Sequence, residues 1–140
     1  QDIEAYVLPK VKIIEDNTYN VLSVSDAAIA VSGTVTLEIA LLKVPLVVIY
    51  KMSALSFSIA KRLINVPFIS LCNLVGEDLI AKELIQSEVT PESIANEAVQ
   101  LIKNQTYRQT MIEKFDIVAK NVGNKGASAR AADAALSLLN

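Results

Sequence analysis

The chain has 140 residues, 52% hydrophobic and 20% charged, which suits one globular domain with a single core and excludes a disordered chain. Its formal net charge of −2 argues against a general nucleic-acid binder, and no apolar run approaches the roughly 18–20 residues that cross a bilayer. Histidine is absent and cysteine occurs once, at Cys72, so this chain supplies no histidine triad, no histidine-ligated metal and no internal disulfide.

The β-branched run VKIIE (residues 11–15) predicts a first strand, and NTYNVLSVS (17–25) a helix opening on an asparagine cap. AAIAVS (27–32) predicts a buried strand, followed by a helix over 34–43 that closes before Pro45. PLVVIY (45–50) is the clearest strand, uncharged and bounded by proline. Residues 53–64 predict a helix with Lys61 and Arg62 in its last turn, where the dipole favours cations. PFISL (67–71) predicts a fourth strand.

From Asp78 onward the expectation is helical. Thr90, Pro91 and Glu92 make a start signal of cap, first-position proline and first-turn acid. Further helices are expected over 106–120 and, alanine-rich, over 127–139. The alternation predicts an α/β fold: a partial Rossmann-like parallel sheet of about four strands with helices on both faces, followed by C-terminal helices. Residues 1–140 read as one domain.

Ligands of open α/β sheets sit beyond the carboxyl ends of the strands, often at a helix N-terminus. Ser32-Gly33-Thr34 is such a junction, with hydroxyls and free N–H groups suited to phosphate oxygens. The same three residues also make an ordinary helix cap, and spacing alone leaves both readings open. Glu38 lies four residues after Thr34 on the same helical face. It either complements the helix dipole or reaches neutral hydroxyls beside the phosphates, such as those of a ribose, because a carboxylate aimed at a diphosphate would repel it. Neither G-x-G-x-x-G nor G-x-x-x-x-G-K-[ST] occurs, so the usual dinucleotide and P-loop readings lack their glycines.

The blocks Ser25-Asp26-Ala27-Ala28, Ser32-Gly33-Thr34 with Thr36-Leu37-Glu38, Ala60-Lys61-Arg62-Leu63 and Glu83-Leu84-Ile85-Gln86 resemble the lipid-A-disaccharide synthases, GT-B glycosyltransferases of family 19. The likeness covers roughly residues 11–103. It implies the C-terminal half of a GT-B fold, a truncated domain holding a UDP-activated sugar donor. The implied reaction transfers 2,3-diacylglucosamine from UDP to 2,3-diacylglucosamine 1-phosphate, giving the β-1,6 lipid A disaccharide and UDP, with no metal or other cofactor. By that resemblance Ser32, Gly33 and Thr34 contact the diphosphate and Glu38 the ribose, Thr36 belongs to the same donor-binding set, and Asn73 lies at the cleft.

Two departures stand out: the family's Leu-Pro-Asn block reads Leu71-Cys72-Asn73, and its proline after the tyrosine strand is Ala54. A larger one is length, since family members run to more than twice this chain. The N-terminal acceptor domain, with the catalytic base and most of the peripheral membrane contact, is expected to be missing, and the isolated chain is expected to be inactive. The strand at 27–32 is then expected to expose an edge, which the chain either closes by re-pairing it with the strand at 11–15 or covers through a second copy. A cytoplasmic setting follows, at the inner face of a Gram-negative inner membrane.

Weaker candidates for the donor site are Tyr50, at a strand end or simply on its rim, and Glu83 with Gln86, three apart on an expected helical face that solvation explains better, the family block keeping them as candidates. Cys72 reads as packing rather than a nucleophile. An alternative function from another class is a non-catalytic α/β domain that binds a nucleotide or a partner subunit.

Overall fold

The computed structural model describes residues 11–53, 57, 66–123 and 126–138. In chain order these form α1 (Thr18–Ser23), β1 (Ala28–Val31), α2 (Thr34–Leu41), β2 (Leu46–Tyr50), α3 (Leu71–Gly76), β3 (Glu83–Ile85), a 3₁₀ turn (Gln86–Glu88), α4 (Pro91–Lys103), α5 (Gln105–Val122) and α6 (Ala127–Ser137). The strands make one parallel sheet in the order β1-β2-β3, with Ala30 opposite Val48 and Val48 opposite Glu83.

Leu46, Val47 and Val48 are buried in succession, so both faces of the central strand are covered, as its uninterrupted apolar run requires. β1 differs. Only Ala30 is buried, while Ile29 and Val31 on the opposite face stay 53% and 58% exposed. β1 is an edge strand of the described sheet, as is β3 on the other side, with β2 its one neighbour among the described residues.

The core forms where α2, α3 and α5 meet the sheet. Ile39 and Ala40 from α2, Cys72 from α3 and Met111, Phe115 and Val118 from α5 pack with Leu46, Val48 and Leu84. The start signal at Thr90 operates as read: its hydroxyl accepts from Ser93 N at 3.1 Å, with Pro91 at the first helical position. Asn104 then ends α4 and caps α5, accepting from Tyr107 N at 3.0 Å. At the seam of these helices Tyr107 donates to buried Glu97 at 2.7 Å, and Lys82 pairs with the same carboxylate at 3.2 Å. Burial and the Glu97 charge push the Tyr107 phenol well above its ordinary range. α6 buries nothing; each of its residues is exposed.

Three expectations need correction. Residues 11–15 are not a strand but exposed coil, because a β-branched run becomes a strand only when a neighbour takes its N–H and C=O groups. Residues 67–71 are not the fourth strand: Leu71 already opens α3, and the Ile69 and Ser70 N–H groups go to a side chain. The place beside β2 belongs instead to β3, in a stretch expected to be helical. Short apolar runs do not distinguish the two by periodicity, and here pairing to β2 decides. The described sheet therefore has three strands. The helix expected over 53–64 falls outside the described residues except at Ser53 and Phe57, where Phe57 N donates to Ser53 O at 2.9 Å.

Candidate functional site

The carboxyl ends of β1, β2 and β3 bring together the Ser32 turn, Tyr50 and Gln86. Ser32 N donates to Ile49 O at 3.1 Å, carrying the β1–β2 ladder one residue past the strand. Gly33 then caps α2 with extended backbone (φ 163°), and nothing lies within 4 Å of where a Cβ would stand. The glycine is therefore not demanded by backbone strain; it leaves open space over the start of the helix.

The N–H groups of Gly33, Thr34 and Val35 have no hydrogen-bond partner among the described residues, whereas Thr36 N returns to Gly33 O at 3.2 Å. Gly33 and Thr34 are exposed. Three unpaired donors, the positive end of α2 and an exposed Thr34 hydroxyl suit an anion. One turn on, Glu38 is half-buried, and its carboxylate makes no hydrogen bond or ion pair among the described residues.

The other hydroxyls of the turn work inward. Ser32 Oγ donates to Ile69 O at 2.9 Å, so its proton belongs to the 67–70 loop. Thr36, expected among the donor-binding residues, is buried, and its Oγ1 donates to Gly33 O at 2.8 Å. It braces the turn from below.

Asn73 also departs from its expected place at a cleft. It is buried, with every amide position filled: Nδ2 donates to Ala81 O (2.7 Å) and Glu83 Oε1 (2.9 Å), and Oδ1 accepts from Ile80 N (3.0 Å) and Ala81 N (2.9 Å). Asn73 thus ties α3 to the stretch entering β3. Its neighbour Cys72 is buried too, and desolvation pushes the thiol up from its ordinary value of 9.0.

Glu83 and Gln86 do not share a helical face. Glu83 opens β3, and its carboxylate gathers the N–H groups of Ile69 (2.9 Å) and Ser70 (2.8 Å), the Ser70 hydroxyl (2.6 Å) and the Asn73 amide. Gln86 grips the backbone of Met52 from both sides, accepting from its N–H at 2.8 Å and donating to its carbonyl at 3.1 Å. Together they set the loops after β2 and before α3.

Between those loops lies a cavity of about 420 Å³ lined by Tyr50, Met52, Phe57, Ile69, Glu83 and Ile85 among others, so the structure places two of the candidate residues, Tyr50 and Glu83, on its wall. Tyr50 is half-buried at its wall. Ile69 belongs both to this wall and, through its carbonyl, to the Ser32 turn. Nothing in the sequence announces that link, because a backbone carbonyl is common to every residue and only tertiary placement gives it a role. Apart from Tyr50 and Glu83, the lining was legible only as packing residues.

No helix among the described residues is long and apolar enough to cross a membrane.

The sequence model of the lipid-A-disaccharide synthetase family matches residues 2–136. The chain is 49% identical over 113 residues to the lipid-A-disaccharide synthase of Coxiella burnetii (strain Dugway 5J108-111), covering 81% of this chain and 30% of that protein. It is 43% identical over 137 residues to that of Trichlorobacter lovleyi, covering 98% of this chain and 36% of the relative. With that of Nitrosococcus oceani the identity is 44% over 137 residues, 98% of this chain and 35% of the relative. The chain therefore spans about a third of the length of the curated relatives it matches.

Proposed function

The chain belongs to the lipid-A-disaccharide synthetase family, and from that membership we propose that it forms the donor-binding part of a glycosyltransferase centre. The reaction is transfer of 2,3-diacylglucosamine from its UDP donor to 2,3-diacylglucosamine 1-phosphate, yielding the β-1,6 lipid A disaccharide and UDP. The acceptor site and the group that takes the acceptor's proton are assigned to the part of the relatives' length that this chain does not span. The setting is the cytoplasmic face of a Gram-negative inner membrane, with peripheral contact.

The observation that carries this reading is the turn at Gly33, where three N–H groups at the head of α2 have no partner among the described residues and a Gly33 Cβ would meet nothing within 4 Å. The Gly33 and Thr34 N–H groups and the Thr34 hydroxyl take the diphosphate. Ser32 and Thr36 hold the turn from beneath, and Asn73 supports it more remotely through α3. Glu38, one turn along and without a protein partner among the described residues, takes the ribose hydroxyls. As the leaving UDP gains negative charge in the transition state, donors fixed beforehand stabilise it without reorganising.

Titration calorimetry of the 140-residue protein with UDP and UDP-N-acetylglucosamine tests the assignment. Binding is expected, with Glu38→Ala weakening UDP by roughly 10-fold, the scale of a lost charge-assisted hydrogen bond. Unchanged affinity in Glu38→Ala refutes the ribose role, and absence of UDP binding refutes the donor reading. Co-expression with an N-terminal half, followed by a transfer assay, separates an enzyme part from a nucleotide-binding or partner-binding domain without catalysis.

A further inference from the structure

We propose that Glu83 is a positioning residue for the donor turn, acting through the Ile69 peptide and Ser32. The inference rests on the donor reading of the Gly33 turn.

Glu83 sits on β3, which β2 separates from β1, so no ladder joins it to the turn directly. The connection runs through the 67–70 loop. Oε2 accepts from Ile69 N at 2.9 Å, while Oε1 accepts from Ser70 N at 2.8 Å, Ser70 Oγ at 2.6 Å and Asn73 Nδ2 at 2.9 Å. Four donors thus engage the carboxylate, three on Oε1 and one on Oε2, all of them from the 67–70 loop and α3.

Ile69 is thereby fixed at its N–H, and its carbonyl receives the Ser32 hydroxyl at 2.9 Å. Ser32 has one other tether, its N–H to Ile49 O. The carboxylate thus locates, through a single residue, the side chain immediately before the unpaired N–H groups of Gly33 and Thr34. A carboxylate suits this better than an amide: all four partners are donors, and an amide nitrogen there would oppose one of them.

The test uses the ¹⁵N-labelled 140-residue protein with Glu83→Gln, Ser32→Ala and the double variant, read by amide chemical shifts and by UDP affinity. Glu83→Gln is expected to keep the wild-type far-UV spectrum, move the Ser32, Gly33 and Thr34 amide signals, and weaken UDP by about fivefold. In the Ser32→Ala background, where the link is already cut, the same substitution is expected to change affinity by less than about twofold.

Unmoved amide signals at 32–34 overturn the proposal. So does an equal loss of UDP affinity in both backgrounds, which would mean direct contact with the ligand. If Glu83→Gln does not fold, Ser32→Ala decides alone, since it leaves the Glu83 bonds intact and must reproduce the fivefold loss. If wild type binds no UDP, the donor reading fails by itself, and the amide shifts still decide whether Glu83 governs the turn.

Discussion

Asn73→Ala separates a buried brace from a ligand contact. Removing the amide leaves Ala81 N–H and Ala81 C=O without partners inside the protein, whereas Ile80 N–H keeps its bond to Asp78 O at 2.9 Å. Each orphaned buried group costs about 1–3 kcal/mol, so two cost about 4 kcal/mol. Against a urea dependence of about 2 kcal/mol per molar, the midpoint falls by about 2 M. The chain has no tryptophan, so far-UV circular dichroism is the suitable probe. Asn73→Asp gives a second reading, because it places a carboxylate where Nδ2 stands 2.9 Å from Glu83 Oε1. The neighbouring negative charge favours the protonated form of the introduced carboxyl over its state in the unfolded chain, so this variant should regain stability as pH falls from 7 towards 5. A midpoint within about 0.3 M of wild type, combined with lost UDP binding, would refute the brace and return Asn73 to the cleft.

Other consequences are simpler to measure. Gly33→Ala places its Cβ in open space on extended backbone, so thermal stability should hold within about 0.5 kcal/mol while UDP affinity drops, because the methyl group occupies the approach to the donors. Equal affinity would show that no ligand closes on that turn. At acid pH, the hydrogen bond and charge of Lys114 hold the Asp78 carboxyl below its ordinary 3.8. The folded form thus favours the ionised group; this stabilisation is full above the unfolded value and fades as pH falls through the lower folded one. Lys114→Met should melt lower than wild type at pH 5, with the difference vanishing near pH 2. A constant difference across that range would refute the link.

The sequence itself determined the elements whose stabilisation is local or whose burial is complete. Leu46–Tyr50 reads as a strand because an uncharged β-branched run fits a place covered on both faces. Thr90-Pro91-Glu92 starts a helix wherever it occurs, since the cap and the missing proline N–H act within one turn. Ser32-Gly33-Thr34 was legible as a strand-to-helix junction and, through its surrounding blocks, as part of a known family.

Tertiary structure alone decided the rest. Glu83-Leu84-Ile85 became a strand because β2 offered its unpaired edge, and residues 11–15 did not because nothing paired with them among the described residues. The polar residues sorted in the same way. Thr34 is exposed and Glu38 has no partner among the described residues, whereas Asn73 and Glu83 are occupied by backbone groups brought from elsewhere in the chain and Thr36 by the Gly33 carbonyl one turn back. Periodicity reports which face of an element a residue occupies. It does not report which carbonyl or amide arrives opposite, and at this site that arrival separates a group free for a ligand from one that holds the fold.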